Sequence, residues 1–209
     1  MARQPGTRNQ GYAARRAELL VRLRARLHAR GETRASWREL ADAAEVSLST
    51  LNHYFGRRDD VMRAVMADDR AGAAGPLAAM AAPGEDFAAS VRGAVLHLAD
   101  GLRHGGLTSL FATGLAETLK HPSLGPVFLA EALEPTLEAV EQRLVAHMAL
   151  GQMQQVDPRG PAIALVSPVL VAFLHQQELG GCELRPLDLD AFVDEHVDAY
   201  VRAWSFQSG

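Results

Sequence analysis

Leucines at positions 19, 23 and 27, with Leu20 beside them, recur at the three-to-four-residue spacing that gives a helix one buried stripe. That pattern predicts a helix over residues 12–30, with Arg15, Arg22, Arg26 and Arg30 on its other faces and Gly31 as its C-terminal stop. Ser36-Trp37-Arg38-Glu39 then has the S-x-x-E form of a capping box, in which the serine side chain and the glutamate side chain each satisfy the other's backbone amide. A short helix over 36–44 follows from it. Only Glu45 and Val46 separate this helix from Ser47, a second N-cap that opens another short helix to Phe55. Gly56 ends that helix, and Asp59-Asp60 suits the positive end of a fourth.

Residues 71–84, rich in alanine, glycine and proline, predict a junction, so the chain is expected to divide into residues 1–66, ordered from about residue 12, and residues 67–209. Five helical patterns follow. Phe87, Val91, Val95, Leu98 and Leu102 mark the first, which stops at Gly105-Gly106; Leu107, Leu110, Phe111, Leu115 and Leu119 mark the second, which stops at His121-Pro122. A third spans 126–150 with a kink expected at Pro135. The fourth, 161–178, is apolar nearly all round and either continuous or split at Ser167-Pro168; the last, 187–206, carries Leu189, Phe192, Val193, Val197, Tyr200 and Trp204 in one stripe. No segment alternates with period two between turn residues, so the fold class is all-α.

Charge changes this picture more than composition does. The net charge of -4 conceals a basic head, with 13 arginines against 7 acidic residues through Met66, and an acidic remainder of 8 basic against 18 acidic residues. An anionic partner for the head alone is the implication. The longest apolar run, 162–174, is shorter than the roughly 20 residues a bilayer crossing needs, and the polar N-terminal stretch does not resemble a secretory signal. With Cys182 as the only cysteine, a cytoplasmic protein that engages no membrane is expected.

Catalytic signatures are missing. The only lysine, Lys120, excludes a G-x-x-x-x-G-K-[ST] phosphate loop, and neither G-x-S-x-G nor H-E-x-x-H occurs. None of the eight histidines lies three or four residues from another; His97 and His104, seven apart, would be separated by about 10 Å along a helix, too far to share one ion. No metal, cofactor or catalytic residue is expected.

On a helical wheel starting at Leu48, Leu51 and Phe55 point inward with Leu48 and Tyr54 flanking them, and Ser49, Thr50, Asn52 and His53 point outward. A short, anchored helix with small hydrogen-bonding side chains outward suits a major-groove reader. The run SWRELADAAEVSLSTLNHYFGRRDDVMRAV, Ser36 to Val65, resembles the DNA-binding domain of tetracycline-repressor-like (TetR family) transcriptional regulators. In that family three helices hold a helix-turn-helix and a fourth leads to a ligand-binding, dimer-forming helical domain. Leu40, Ala41, Ala44, Val46 and Leu51 match the small core, Ser47 the cap, Thr50 and Tyr54 the backbone contacts, Phe55 the anchor, and Arg58 the usual phosphate-binding lysine. Three positions depart from the pattern: Glu45 replaces the turn glycine, Asn52 a common tyrosine and Trp37 a small aliphatic residue. Glu45 would strain a turn that demands positive φ, and its charge would repel phosphate.

The resemblance implies a ligand-responsive regulator, usually a repressor, bound as a homodimer to a partly palindromic double-stranded operator. The residues expected on DNA are Ser36, Ser47, Leu48, Ser49, Thr50, Asn52, His53, Tyr54, Arg57 and Arg58. An effector pocket is expected among the middle helices, with His97, Phe111 and Phe128, and the apolar composition there favours a lipophilic or aromatic small molecule. Val169, Phe173, Phe192, His196 and Tyr200, on the last two helices, are the expected dimer contacts. Arg3 and Arg8 read as part of a disordered tail rather than as a minor-groove arm.

Overall fold

A computed structural model of the chain describes residues 6–29 and 35–206, and every helix or strand it assigns there is a helix. The expectations attached to Arg3, Arg30 and Gly31, and to the Arg8 side chain, fall outside the described residues. Helix α1 (Gly6–Leu27) starts earlier than predicted and buries Leu19, Leu20, Leu23 and Leu27. Helix α2 (Trp37–Ala43) has its capping box: Ser36 Oγ accepts from the Glu39 amide at 3.2 Å, and the Glu39 carboxylate accepts from the Ser36 amide at 2.6 Å. Helix α3 (Leu48–Phe55) ends at Gly56, whose φ of 81° favours glycine. Helix α4 (Arg58–Gly72) carries Asp59 and Asp60 in its first turn and runs through the division expected at residue 66.

The segment expected to be a junction contains helix α5 (Ala74–Ala81). Its alanines favour the helix, Pro76 sits in the first turn where a missing N–H costs nothing, and buried Met80 anchors it. Helices α6 (Phe87–Arg103) and α7 (Leu107–Lys120) follow the predicted patterns. Next, a 3-10 turn (Pro122–Leu124), helix α8 (Gly125–Phe128), a π turn (Leu129–Leu133) and helix α9 (Glu134–Ala149) run without a break. The irregularity expected at Pro135 is taken up by that π turn, which leaves the proline in the first turn of α9. Helix α10 (Arg159–Gln177) is continuous through Pro168, because the carbonyl that loses its donor belongs to Ala164 at an exposed position. By length and composition α10 could cross a membrane; half of its apolar window is buried in the fold. A short helix α11 (Gly181–Leu184) and helix α12 (Leu189–Trp204) complete the described chain.

Two cores hold these elements. In the larger, α6, α9, α10 and α12 pack around Leu98, Leu144, Val166, Phe173 and Val197. The smaller is built from α1 to α4, yet it also takes Phe111, Leu124 and Phe128 from the other half of the chain. The head therefore has no apolar core wholly of its own. Gly114 makes room for this, since a Cβ there would meet the Phe128 ring at 2.2 Å.

Arg143 joins α9 to α5 and α6. Its guanidinium, buried to 6% exposure, donates to Ala79 O and Met80 O at the end of α5 and to Ser90 O and Oγ of α6, all at 2.7 to 2.8 Å. Burial pushes its proton affinity below the ordinary arginine value, the sign expected where neutral carbonyls replace water. Arg143→Leu leaves those carbonyls without their donors and is expected to cost about 3 kcal/mol of unfolding free energy, measured by denaturant titration.

Candidate nucleic-acid interface and adjoining cavity

Ser47 starts α3 with its Oγ accepting from the Thr50 amide at 3.1 Å, while the Ser49 and Thr50 hydroxyls lie 2.8 and 2.9 Å from the same oxygen. Leu51 and Phe55 are buried and fix the helix to the head core; Ser47, Leu48, Ser49, Asn52 and His53 are exposed. Leu48, expected to flank the buried side, is 41% exposed and belongs to the outward face. Ser36 is exposed but its hydroxyl and amide are used in the cap of α2.

Tyr12 of α1 positions this face, a role the sequence reading missed. Its ring stacks on Tyr54 at 4.8 Å and meets the edge of His53 at 5.9 Å. Arg16, one turn further along α1, lies over the Phe55 ring at 4.8 Å. The spacing of Tyr12 and Arg16 on one side of α1 was the available signal. His53 and Tyr54 thus form an aromatic seam against α1, with Tyr54 half-buried in it.

Glu45 occupies the turn between α2 and α3 at φ 55°, the left-handed conformation that the sequence reading identified as a risk. Its carboxylate is held at 2.6 Å by Arg22, which also reaches Ala44 O at 3.3 Å. Trp37 is partly buried against the head core.

Among the described residues, five arginines of the head are engaged in ion pairs within the protein. Arg15 and Arg22 pair with Glu18, Arg26 lies 3.5 Å from Glu39, and Arg24 pairs with Asp68 and Asp69. Arg58 is the main correction. Placed by the resemblance on phosphate, its guanidinium instead makes a two-pronged ion pair with Glu117 of α7, at 2.6 and 2.7 Å, and its Nε donates to Ala35 O. Glu117 is only 3% exposed, so the pair is removed from solvent. A carboxylate on the buried side of α7, in line with Phe111 and Gly114, was the sequence signal for a buried cationic partner. Among the described residues, Arg57 and Arg38 are exposed arginines of the head with no ion pair. Arg57 remains from the original set; Arg38 was not in it.

Above the head lies a cavity of about 730 Å³, within the range of small-molecule sites. Its walls come from the end of α1, α4, α5, α6, α7, the π turn and the start of α9. Of the expected pocket residues, Phe111 lines it and exposed His97 lies at its edge. Phe128 does not. Its ring packs edge-on against Phe111 at 5.8 Å in the head core, beside a void of only about 10 Å³. Arg24, His28, Asp69, Arg70 and Glu131 line the cavity and were not foreseen, because they come from elements distant in sequence. Asp69 ties α4 to α1 there, pairing with Arg24 and lying 3.0 Å from His28 Nε2.

Of the five expected dimer contacts, three are turned into the chain's own core. Val169, Phe173 and Tyr200 are buried inside the chain's own fold, with Tyr200 donating to Pro161 O at 3.1 Å. Phe192 and His196 are partly buried and stack on each other, with His196 Nε2 3.0 Å from Leu165 O. An all-round apolar helix does not reveal which side faces its own chain; here Ile163 and Val171, eight residues apart on the opposite side of α10, are the exposed ones.

No protein-family model and no curated protein matches the sequence. Solved structures do match. A protein of Mesorhizobium loti assigned to the TetR family superposes with a TM-score of 0.74 at 16% identity, over 93% of this chain and 98% of the other. The chain has a TetR-like fold. The fatty acid degradation regulator FadR of Bacillus halodurans superposes on this TetR-like fold with a TM-score of 0.68 at 15% identity, over 96% and 97% of the two chains. SmeT, the repressor of a multidrug efflux pump of Stenotrophomonas maltophilia, gives 0.63 at 18% identity, over 93% and 91%.

Glu45 offers a test of the turn between α2 and α3. Both Glu45→Gly and Glu45→Ala remove the contact with Arg22, but only glycine relieves positive φ. The glycine variant is expected to be the more stable of the two by about 1 kcal/mol in denaturant unfolding, the reverse of their order in a helix.

Proposed function

We propose that the protein is a ligand-responsive, sequence-specific DNA-binding transcriptional regulator, a repressor released from its operator by a small molecule. The observation that carries this reading is the outward face of α3, where Ser47, Leu48, Ser49, Asn52 and His53 stand exposed on a helix pinned by Leu51 and Phe55 within a TetR-like fold. Small polar side chains on such a helix read base edges in the major groove, Asn52 being suited to adenine and Leu48 to a thymine methyl group. Arg57 and Arg38 contact phosphate, and Glu45 is kept from opposing them by Arg22. The chain acts in the cytoplasm as a homodimer on a partly palindromic operator, with Ile163 and Val171 of α10 in the shared face. Residues 67–209 form the effector and dimer domain. The effector is lipophilic or aromatic and occupies the cavity, as the apolar walls favour; two of the similar folds are named for fatty acid degradation and for a multidrug pump.

Selection of bound duplexes from a random pool by the purified protein, near physiological salt, is expected to enrich a partly palindromic sequence with half-sites about one helical turn apart or more. Arg57→Ala then weakens binding to every duplex and lowers the slope of log affinity against log salt by about 0.9. Arg58→Met leaves that slope unchanged, since its charge is held by Glu117. A pool that shows no enrichment contradicts the DNA-binding reading and leaves a small-molecule binding protein.

A further inference from the structure

Most of the charged groups around the cavity are engaged already. Arg24 pairs with Asp68 and Asp69, Asp69 also holds His28, and Asp100 lies 2.9 Å from His104. Among the described residues, Arg70 and Glu131 line the cavity with no ion pair. Arg70 sits in the last turn of α4, where a cation complements the helix's carbonyl end, and its long stem gives the charge a route to water. Glu131 is partly buried as well, without a helix terminus to complement its charge. It belongs to the π turn, away from any helix N-terminus, and it also borders the small void beside Met62, Val65, Met66, Leu110 and Phe128. A carboxylate set among apolar walls is costly unless a counter-charge joins it. Single π turns within helices recur at functional sites, and this one is what brings Glu131 and Ala132 to the cavity wall.

We infer that the cavity takes an apolar or aromatic ligand bearing a protonated amine, with the ammonium group against Glu131 and the apolar body among Leu77, Met80, Leu107 and Phe111. The inference rests on the cavity being the effector site and adds the ligand's charge. Three carboxylates against two guanidinium groups around the cavity favour the same sign.

The test is a fluorescence titration of the full chain, near neutral pH, with 1-pyrenemethylamine, 1-pyrenemethanol and 1-pyrenecarboxylic acid, which share one apolar body. Wild-type protein is expected to bind the amine about tenfold more tightly than the alcohol or the acid. Glu131→Gln makes amine and alcohol equal, and Glu131→Lys transfers the preference to the acid, a reversal that a merely structural role would not produce. Thermal melts confirm that each variant is folded. Tightest binding of the acid by the wild type, or an amine preference that survives Glu131→Gln, overturns the inference while leaving the cavity as the site. Leu77→Trp narrows the cavity and weakens all three ligands. If it leaves all three unchanged, or if none of them binds, the cavity reading fails and takes the inference with it.

Discussion

The ion pair of Arg58 and Glu117 fixes how the two halves of the chain meet. Arg58 opens α4, immediately after the turn that closes α3, and Glu117 lies on the buried side of α7. Its two short hydrogen bonds set both the distance and the rotation between these helices, because a guanidinium matches a carboxylate only in one plane. A buried pair of this kind contributes less to net stability than its Coulomb attraction, since both charges lose water; its effect is on geometry, because separating the partners costs the two hydrogen bonds that offset that loss. The head, with a core that borrows Phe111, Leu124 and Phe128, is arranged around that contact.

From this follows a physical link between the cavity and the head that carries α3. Along α7, Phe111 lines the cavity, Thr113 donates to Leu27 O at the end of α1 at 3.0 Å, and Glu117 holds the start of α4. These positions span about 9 Å of one rigid helix. Across the cavity, Asp69 fastens the far end of α4 to α1 through Arg24 and His28. A molecule that fills the cavity thus touches the Asp69 fastening directly and reaches the other through Phe111, on the same helix as Glu117. It favours whichever setting of the head gives it better contacts, by that differential amount and no more.

Much of the head was legible in the sequence because its signals are local. Capping by Ser36 and Ser47, the stop at Gly56 and the inward pair Leu51 and Phe55 each depend on residues within one or two turns. Glu45 at positive φ was readable for the same reason. What the sequence hid was pairing at a distance. Arg58 has the position of a phosphate contact in sequence, but Glu117, 59 residues away, holds it. Phe128 looked like a pocket residue because aromatic spacing cannot distinguish a core ring from a cavity wall. Along α10 and α12, apolar residues were visible but not the side each presents, and helix α5 was concealed by glycine and proline flanking a strongly helical alanine run. The cavity itself, drawn from seven elements, has no sequence signature at all.

The claim that the Arg58 and Glu117 contact governs the joint between head and body is tested most directly by a double-mutant cycle in denaturant unfolding. Arg58→Met and Glu117→Met should each cost about 3 kcal/mol, because each breaks a charged pair held away from water, while the double variant should cost far less than the sum. Additive losses would mean that the two side chains do not act as a unit, and would contradict the account.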